Sequence, residues 1–470
     1  MACQERLDEM NKNPNALTEV PTGYLFTTAV RSSIPGSGLS QTTYGGQYSH
    51  LIVAGAFDRD TDKYLDIHIS GDMPESLFRG FYSGGIKYCN DIMSITANAG
   101  KKPNEVQNAL ANIVIVMNYS RLTDLFGDIP YFEGGKGKEG LFTPKYDKQE
   151  VIYADMVERL KINLEILESA DFSNAFPGTD PMYFNNKESW IRFTNSLRLR
   201  LAMRARFADP DTYNPIITEC LSKNLIEDND DNSKLDFIDS PDPGLYNPWH
   251  NFYISRYEQS PPREDLNVSE KYVTHLKTTG DPRLEVMVAP NNNGEYVGMP
   301  NGLTDAYYAD YSRKDASILS DLVLARDQPL YFMTASEIWF LRAETALFGL
   351  NSETDANQLY QMGITRAMQQ WNIPQSDIDT YIANSSEGTL SGTIEEKFEQ
   401  IGNQMWLAFV PNYEQAWFNI RRTGYPVIPQ RTADSLSQGI TNGYMPSRIK
   451  YPGTNEETIN GVNMQEAIDR

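Results

Sequence analysis

Two stretches concentrate side chains suited to gripping a polar ring. Asn247, Trp249, Asn251, Tyr253 and Tyr257 fall within eleven residues of LYNPWHNFYISRYEQS, and Tyr307, Tyr308, Asp310, Tyr311 and Arg313 follow Asn301-Gly302-Leu303. Flat aromatic faces stack on C–H surfaces, whereas Asn, Asp and Arg match hydroxyl groups as donors and acceptors. That combination suits an oligosaccharide, whose rings have apolar faces and a rim of hydroxyls, and it requires no activated nucleophile. Rings in irregular segments also pack those segments onto a scaffold, and for each residue singly both roles stay open. If Trp249 faces a ligand, replacing it by alanine weakens binding and leaves thermal stability nearly unchanged.

Other residues capable of chemistry lack the spacing for it. His50, His68, His250 and His275 include no two at metal-binding spacing. GGKGKEG (Gly134 to Gly140) is glycine-rich and basic but lacks the Gly-Lys-Ser/Thr ending of a phosphate loop, so it reads as a surface loop. No G-x-S-x-G string occurs. The run EDNDDNSKLD (Glu227 to Asp236) is rich in oxygen ligands, yet it has neither the sharp-turn glycine nor the closing glutamate of a calcium loop. A solvated loop is the expectation there, with calcium the one cofactor left open. Asp124 and Asp128 resemble a carboxylate pair, but DLFGDIP places them at a helix end and in a turn. A glycosidase whose two acids lie far apart in sequence stays open on composition alone. Arg192, Arg198, Arg200, Arg204 and Arg206, all in WIRFTNSLRLRLAMRARFADP, are expected to pair with carboxylates of neighbouring helices and not to gather an anion.

Such groups need a frame, and the signals for it are helical. Leu77, Phe81, Gly84, Tyr88, Ile92 and Ile95 predict one helix over 74–99. Pro103 opens another, with Val106, Leu110, Ile113 and Met117 on a stripe and Gly127 and Pro130 as its stop. Asp147 and Glu150 read as a capping box ahead of Tyr153, Val157, Leu160, Leu164 and Leu167. In RDQPLYFMTASEIWFLRAETALFG, Pro329 predicts a helix after it, capped by Thr334 or Ser336. Ala335, Ala343 and Ala346 would let a second helix, over 358–371, approach closely. Ile394, Phe398, Ile401, Met405 and Ala408 keep the period again. From Asn224 to about Ala325 the period fades while Pro, Gly, Asn and Asp accumulate. The expected fold is mainly α and a single domain, with 1–223 and 326–470 as helical scaffold and 224–325 as an irregular, loop-rich, ligand-binding subdomain.

Charge narrows the partners. The 470 residues carry 41 basic and 63 acidic side chains, a net charge of −22, so a phosphate backbone is repelled and nucleic acid is excluded as a partner. Cys89 and Cys220 lie in predicted helices and read as buried free thiols. Cys3, followed by the polar run QERLDEMNKNPN, stands apart as a candidate acylation site.

Several strings together resemble the SusD/RagB family of outer-membrane nutrient-binding lipoproteins. The late helix "MTASEIWFLRAETALFG" is similar to the family's signature, and so, in order along the chain, are the Asn13-Pro14-Asn15 turn, DLFGDIP, WIRFTNSLRLRLAMR, DPRL (Asp281 to Leu284), EQAWFNIRRTGYP and MPSRIKYP. The resemblance implies a scaffold of tetratricopeptide-type helix pairs. It further implies a non-catalytic, surface-exposed lipoprotein anchored in the cell outer membrane through an acylated Cys3. Such a protein holds an oligosaccharide, or in some members a peptide, for a SusC-like TonB-dependent transporter. Glycan sites in the family sit on variable loop aromatics, so the matched strings transfer no individual ligand residue.

Overall fold

The computed structural model describes residues 20–34, 41–54, 59–64, 73–250, 266–303, 316–351, 355–431 and 441–470. At its centre is helix α4 (Glu105–Phe126), preceded by α1 (Thr22–Ser32), α2 (Met73–Phe81) and α3 (Lys87–Thr96). Asn104 caps α4, its side chain accepting from Gln107 N at 3.0 Å, and Gly127 ends it at φ +86°. From Ile113 to Phe126 every residue is buried, so the one-sided stripe read from the sequence becomes a helix buried all round. Its polar residues are partnered: Asn118 donates to Ser33 Oγ at 2.7 Å, Arg121 pairs with Glu414 at 2.8 Å, and Asp124 accepts from Tyr153 Oη and pairs with Arg204.

The single helix expected over 74–99 is broken. A π-helical turn, Tyr82–Ile86, separates α2 from α3, with Gly84 at φ −100°, ψ −113°. The physical reason is crowding against α4, because a Cβ on Gly85 would lie 2.6 Å from Asn118 Oδ1.

Around α4 the helices pack in sequence-adjacent pairs. α5 (Gln149–Ser169) lies on α4, α6 (Lys187–Ala205) on α5, and α7 (Pro210–Leu221) on α6. The capping box expected at Asp147 is not formed. Asp147 instead accepts from Tyr131 N and Phe132 N at 3.0 and 2.9 Å, while Asp128 reaches across from the preceding turn to accept from Gln149 N at 2.9 Å. The α6 arginines do pair as expected. Arg192 meets Asp231, Arg198 meets Glu219, Arg200 grips Glu337 with two bonds, Arg204 meets Asp124 and Arg206 meets Glu344. The row is a set of cross-ties between helices.

The segment 224–325 is less irregular than expected. It contains α8 (Glu270–Thr279) and α9 (Arg283–Met287), whose Tyr272, Val273, Leu276 and Met287 belong to the main core. Arg283, fully buried, bonds Asp281 through Nε and Nη2 and Gln404 through Nη2, while its Nη1 has no partner among the described residues. The described strands form short antiparallel pairs: β1 (Ile52–Ala54) with β3 (Leu266–Val268), β2 (Ser233–Leu235) with β6 (Leu330–Met333), and β4 (Val288–Ala289) with β5 (Ile318–Leu319).

After Pro329 the chain forms β6 before α10 (Ala335–Leu347), where Thr334 is the cap, accepting from Glu337 N. Its partner α11 (Ala356–Gln369) packs against it at Gly363, where a Cβ would sit 2.6 Å from Phe340. Next come α12 (Gln375–Asn384), α13 (Ile394–Ala408) with a Thr393/Glu396 capping box, α14 (Tyr413–Thr423) and the C-terminal α15 (Asn455–Ile468). The mainly helical frame is as expected.

Candidate functional site

The first aromatic cluster begins on a clamp beside β6. Asn247 N donates to Arg326 O and its Nδ2 to Gln328 O, both at 2.8 Å, while its Oδ1 accepts from Trp249 N at 2.8 Å. His250 bonds Leu324 O through Nδ1 at 2.6 Å and takes Arg326 Nε on Nε2 at 3.2 Å. The carbonyl facing one ring nitrogen and the guanidinium facing the other place the ring's N–H donor at Nδ1 and its acceptor at Nε2. The strip 246–250 is thereby fastened to 324–328, immediately before the strand that leads into α10.

The clamp places Asn247 and Trp249 inside. Asn247 is 3% exposed and Trp249 5%, the latter belonging to the main core. Trp249 lines two small voids of about 20 Å³ each, both also lined by Leu330, Tyr331 and Asn412. Trp249 and Gln370 line the first void, and their Nε1 and Oε1 have no partner among the described residues. A space of that size and polarity suits one water molecule. In this structure neither Asn247 nor Trp249 offers a face to a ligand, which corrects the expectation for these two. Asn251, Tyr253, Tyr257, Tyr307, Tyr308, Asp310 and Tyr311 lie outside the described residues, as does Cys3.

The second cluster departs from a buried polar node that inspection of residue types did not single out. Asn301 Nδ2 donates to Ile52 O at 3.0 Å and to Asp62 Oδ1 at 2.6 Å, and its Oδ1 accepts from Ser269 Oγ at 2.7 Å. Gly302 N donates to Asp62 Oδ2 at 2.5 Å. Arg431 ties the node together: Nη1 donates to Asn301 O and Nη2 to Asp62 O, each at 2.9 Å, with the guanidinium 4.6 Å over the Tyr64 ring. Gly302 has φ +74°, and a Cβ there would lie 2.7 Å from Arg431 Cζ, so both backbone angle and space require glycine. His50 Nε2 lies 2.8 Å from Tyr64 Oη and 3.3 Å from Arg431 Nη2.

The node is electrostatically tense. Burial, then the charges of Arg431 and Lys271, hold His50 well below the ordinary histidine value. Burial pushes the Asp62 carboxyl up, against the opposing pull of Arg431, Asn301 and Gly302. It pushes the Tyr64 phenol up as well. His50 is therefore neutral and accepts from Tyr64 O–H and Arg431 N–H together. With His50 4% and Tyr64 1% exposed, the group has no access for a substrate and acts as an anchor. Tyr64, Gly302 and Arg431 stand at or beside the ends of the described stretches that lead into 65–72, 304–315 and 432–440. Three described stretches thus end at one rigid point, and the residues following one of them include four of the candidates. Its only sequence signal was the Asn301-Gly302 pair.

The acid-rich run is absorbed as counter-ions. Glu227 pairs with Arg342 at 2.6 Å, Asp228 with Arg366, Asp231 with Arg192 and Asp236 with Lys234. Among the described residues no three His, Cys, Asp or Glu side chains gather as a metal site would require, and no helix is long and apolar enough to cross a membrane.

Relatives place this architecture. The sequence profile of the SusD-like family described as "Starch-binding associating with outer membrane" matches residues 14–452. A solved chitin-binding protein superposes with a TM-score of 0.81 at 26% identity, covering 96% of each chain. A SusD homologue from Bacteroides uniformis gives 0.78 at 25% identity over 95% of this chain and 96% of that one. A chitin-binding SusD homologue from Flavobacterium johnsoniae gives 0.78 at 24% identity over 95% of each. Among curated proteins none matches significantly. With its motifs in order and the match running over nearly the whole chain, this protein belongs to the SusD-like family.

Proposed function

We propose that the chain is a non-catalytic glycan-binding subunit that holds an oligosaccharide at the cell surface and delivers it to a TonB-dependent transporter of the outer membrane. The observation that carries this reading is the match of the SusD-like profile to residues 14–452. The superposition on a chitin-binding protein at 26% identity makes a β-linked N-acetylglucosamine oligomer the first ligand to test. The chemistry supports binding over bond cleavage. Glycoside hydrolysis needs two carboxyl groups facing each other, about 5 to 9.5 Å apart. Several buried carboxylates of the frame are committed to arginines, Glu337 to Arg200, Glu344 to Arg206 and Arg422, Glu414 to Arg121 and Asp281 to Arg283, while Asp180 is held by Trp190 Nε1 and backbone N–H groups. In this reading Cys3 is acylated and tethers the chain to the membrane.

Titration calorimetry of the purified chain against chito- and malto-oligosaccharides, with chromatography of the recovered sugar, tests the reading. Retention of intact oligomer is expected. Released shorter sugars overturn the non-catalytic assignment, and retention of peptides without any sugar overturns the glycan assignment. Incorporation of labelled fatty acid that is lost in Cys3→Ser tests the anchor.

A further inference from the structure

An open hollow of about 1200 Å³ lies between the strip 441–454 and α15. Its floor includes Met445, Ile449 and Met464, and Tyr444 stands at its edge with 60% of its surface exposed. Arg448, Lys450 and Glu457 also line it. The strip is held firmly. Ile449 N donates to Leu125 O at 2.7 Å, Tyr451 Oη to Asp128 O at 2.6 Å and Trp417 Nε1 to Pro446 O at 3.1 Å. Between two of these ties the Arg448 guanidinium carbon sits over the Tyr451 ring, 4.7 Å from its centroid, and Arg448 spends one N–H on Ile449 O at 3.3 Å. Among the described residues its partners include no carboxylate, unlike the five arginines of α6. A guanidinium has five N–H donors, and one fixed by stacking presents the remainder with little entropy left to lose.

We infer that this hollow, lined by residues other than those of the aromatic segments, is a ligand site which takes an acidic sugar of the uronic type. Tyr444 stacks on the ring face, Arg448 receives the carboxylate, and the Ser447 hydroxyl on its wall serves a ring hydroxyl. The inference rests on the reading of the chain as glycan-binding and extends it to a charged class of ligand.

Calorimetry with oligogalacturonate and, in parallel, with a chito-oligosaccharide tests it on the full chain. Wild type is expected to bind oligogalacturonate, more weakly as salt rises. Arg448→Gln is expected to lower that affinity about tenfold. Tyr444→Ala is expected to lower it several-fold, and both variants should leave the neutral oligomer's affinity unchanged. Arg448 also packs beside Gly127 at the end of α4, so Tyr444→Ala, at an exposed ring, keeps the test valid should Arg448→Gln fail to fold. Chito-oligosaccharide binding with no oligogalacturonate binding overturns this site and leaves the wider reading standing. Oligogalacturonate binding that survives Tyr444→Ala overturns it too. Failure to bind any sugar in the panel overturns both.

Discussion

At the scale of single residues, side-chain type and side-chain role part company. Asn247 and Trp249 were attractive because their chemistry suits a sugar, yet the same chemistry suits a clamp, and the structure uses it as one. Trp249→Ala is therefore expected to cost about 3–5 kcal/mol, the usual range for a buried large-to-small change, read as a lowered denaturant midpoint. An unchanged midpoint would show that the ring is not core. The α6 arginines were readable because an acidic chain offers many carboxylates. The Arg431 node was not, since its members come from five separate stretches of sequence. It makes a pH prediction. His50 is held neutral in the folded state, so its folded-state pKa lies below the unfolded value of about 6.5. As pH falls through that value the unfolded chain takes up a proton that the folded chain refuses, and stability drops by up to about 1.4 kcal/mol per pH unit. Asp62, raised by burial, acts in the opposite sense in the more acid range of carboxyl groups. Chemical denaturation between pH 7 and about 5 should therefore show a slope in wild type that is shallower in His50→Gln. Equal slopes would mean that His50 is not the group responsible.

At the scale of elements, periodicity located most helices and missed how they meet. The periods of α5, α10, α11 and α13 were plain, because buried positions recur every three or four residues. The π-turn at Tyr82–Ile86 was invisible, since Gly84 and Gly85 satisfy a helical stripe as well as they permit a break. The cap on α5 was misassigned for a similar reason. A carboxylate two residues before the helix looks like a cap, but the backbone directs Asp147 to the preceding turn and leaves the task to Asp128. The contact of α10 with α11 rests on Gly363 meeting the Phe340 ring. Gly363→Val should therefore force the two helices apart at a cost of about 1–3 kcal/mol, measurable as a lower melting temperature. Phe340→Leu in the same chain should recover part of the loss by removing the atoms that clash. Additive losses in the double variant would place the strain elsewhere.

For the molecule as a whole, a rigid helical frame and the segments it carries divide the work. The frame was readable, since seven strings distributed from Asn13 to Pro452 can be matched in order only if one architecture spans them. Which rings touch a ligand was not readable, because composition is blind to whether a loop aromatic faces in or out. The structure supplies the connection points instead. The described chain leads into 304–315 from Asn301-Gly302, pinned by Asp62 and Arg431, and the described residues resume at Ala316 and Ser317. Ser317 N donates to Val297 O at 2.7 Å and its O accepts from Val268 N at 3.0 Å. Leu319 then pairs with Val288. Both ends are held by contacts that do not pass through the segment, so its replacement by a Gly-Ser linker of equal length should cost less than about 1 kcal/mol of stability, the loop closure being unchanged. Tyr307, Tyr308, Asp310 and Tyr311 go with it. If these residues grip the neutral sugar, affinity for a chito-oligosaccharide falls by at least about tenfold while the melting curve stays in place. Undiminished affinity would move the neutral site off this segment, and a collapsed melting curve would make the segment part of the frame.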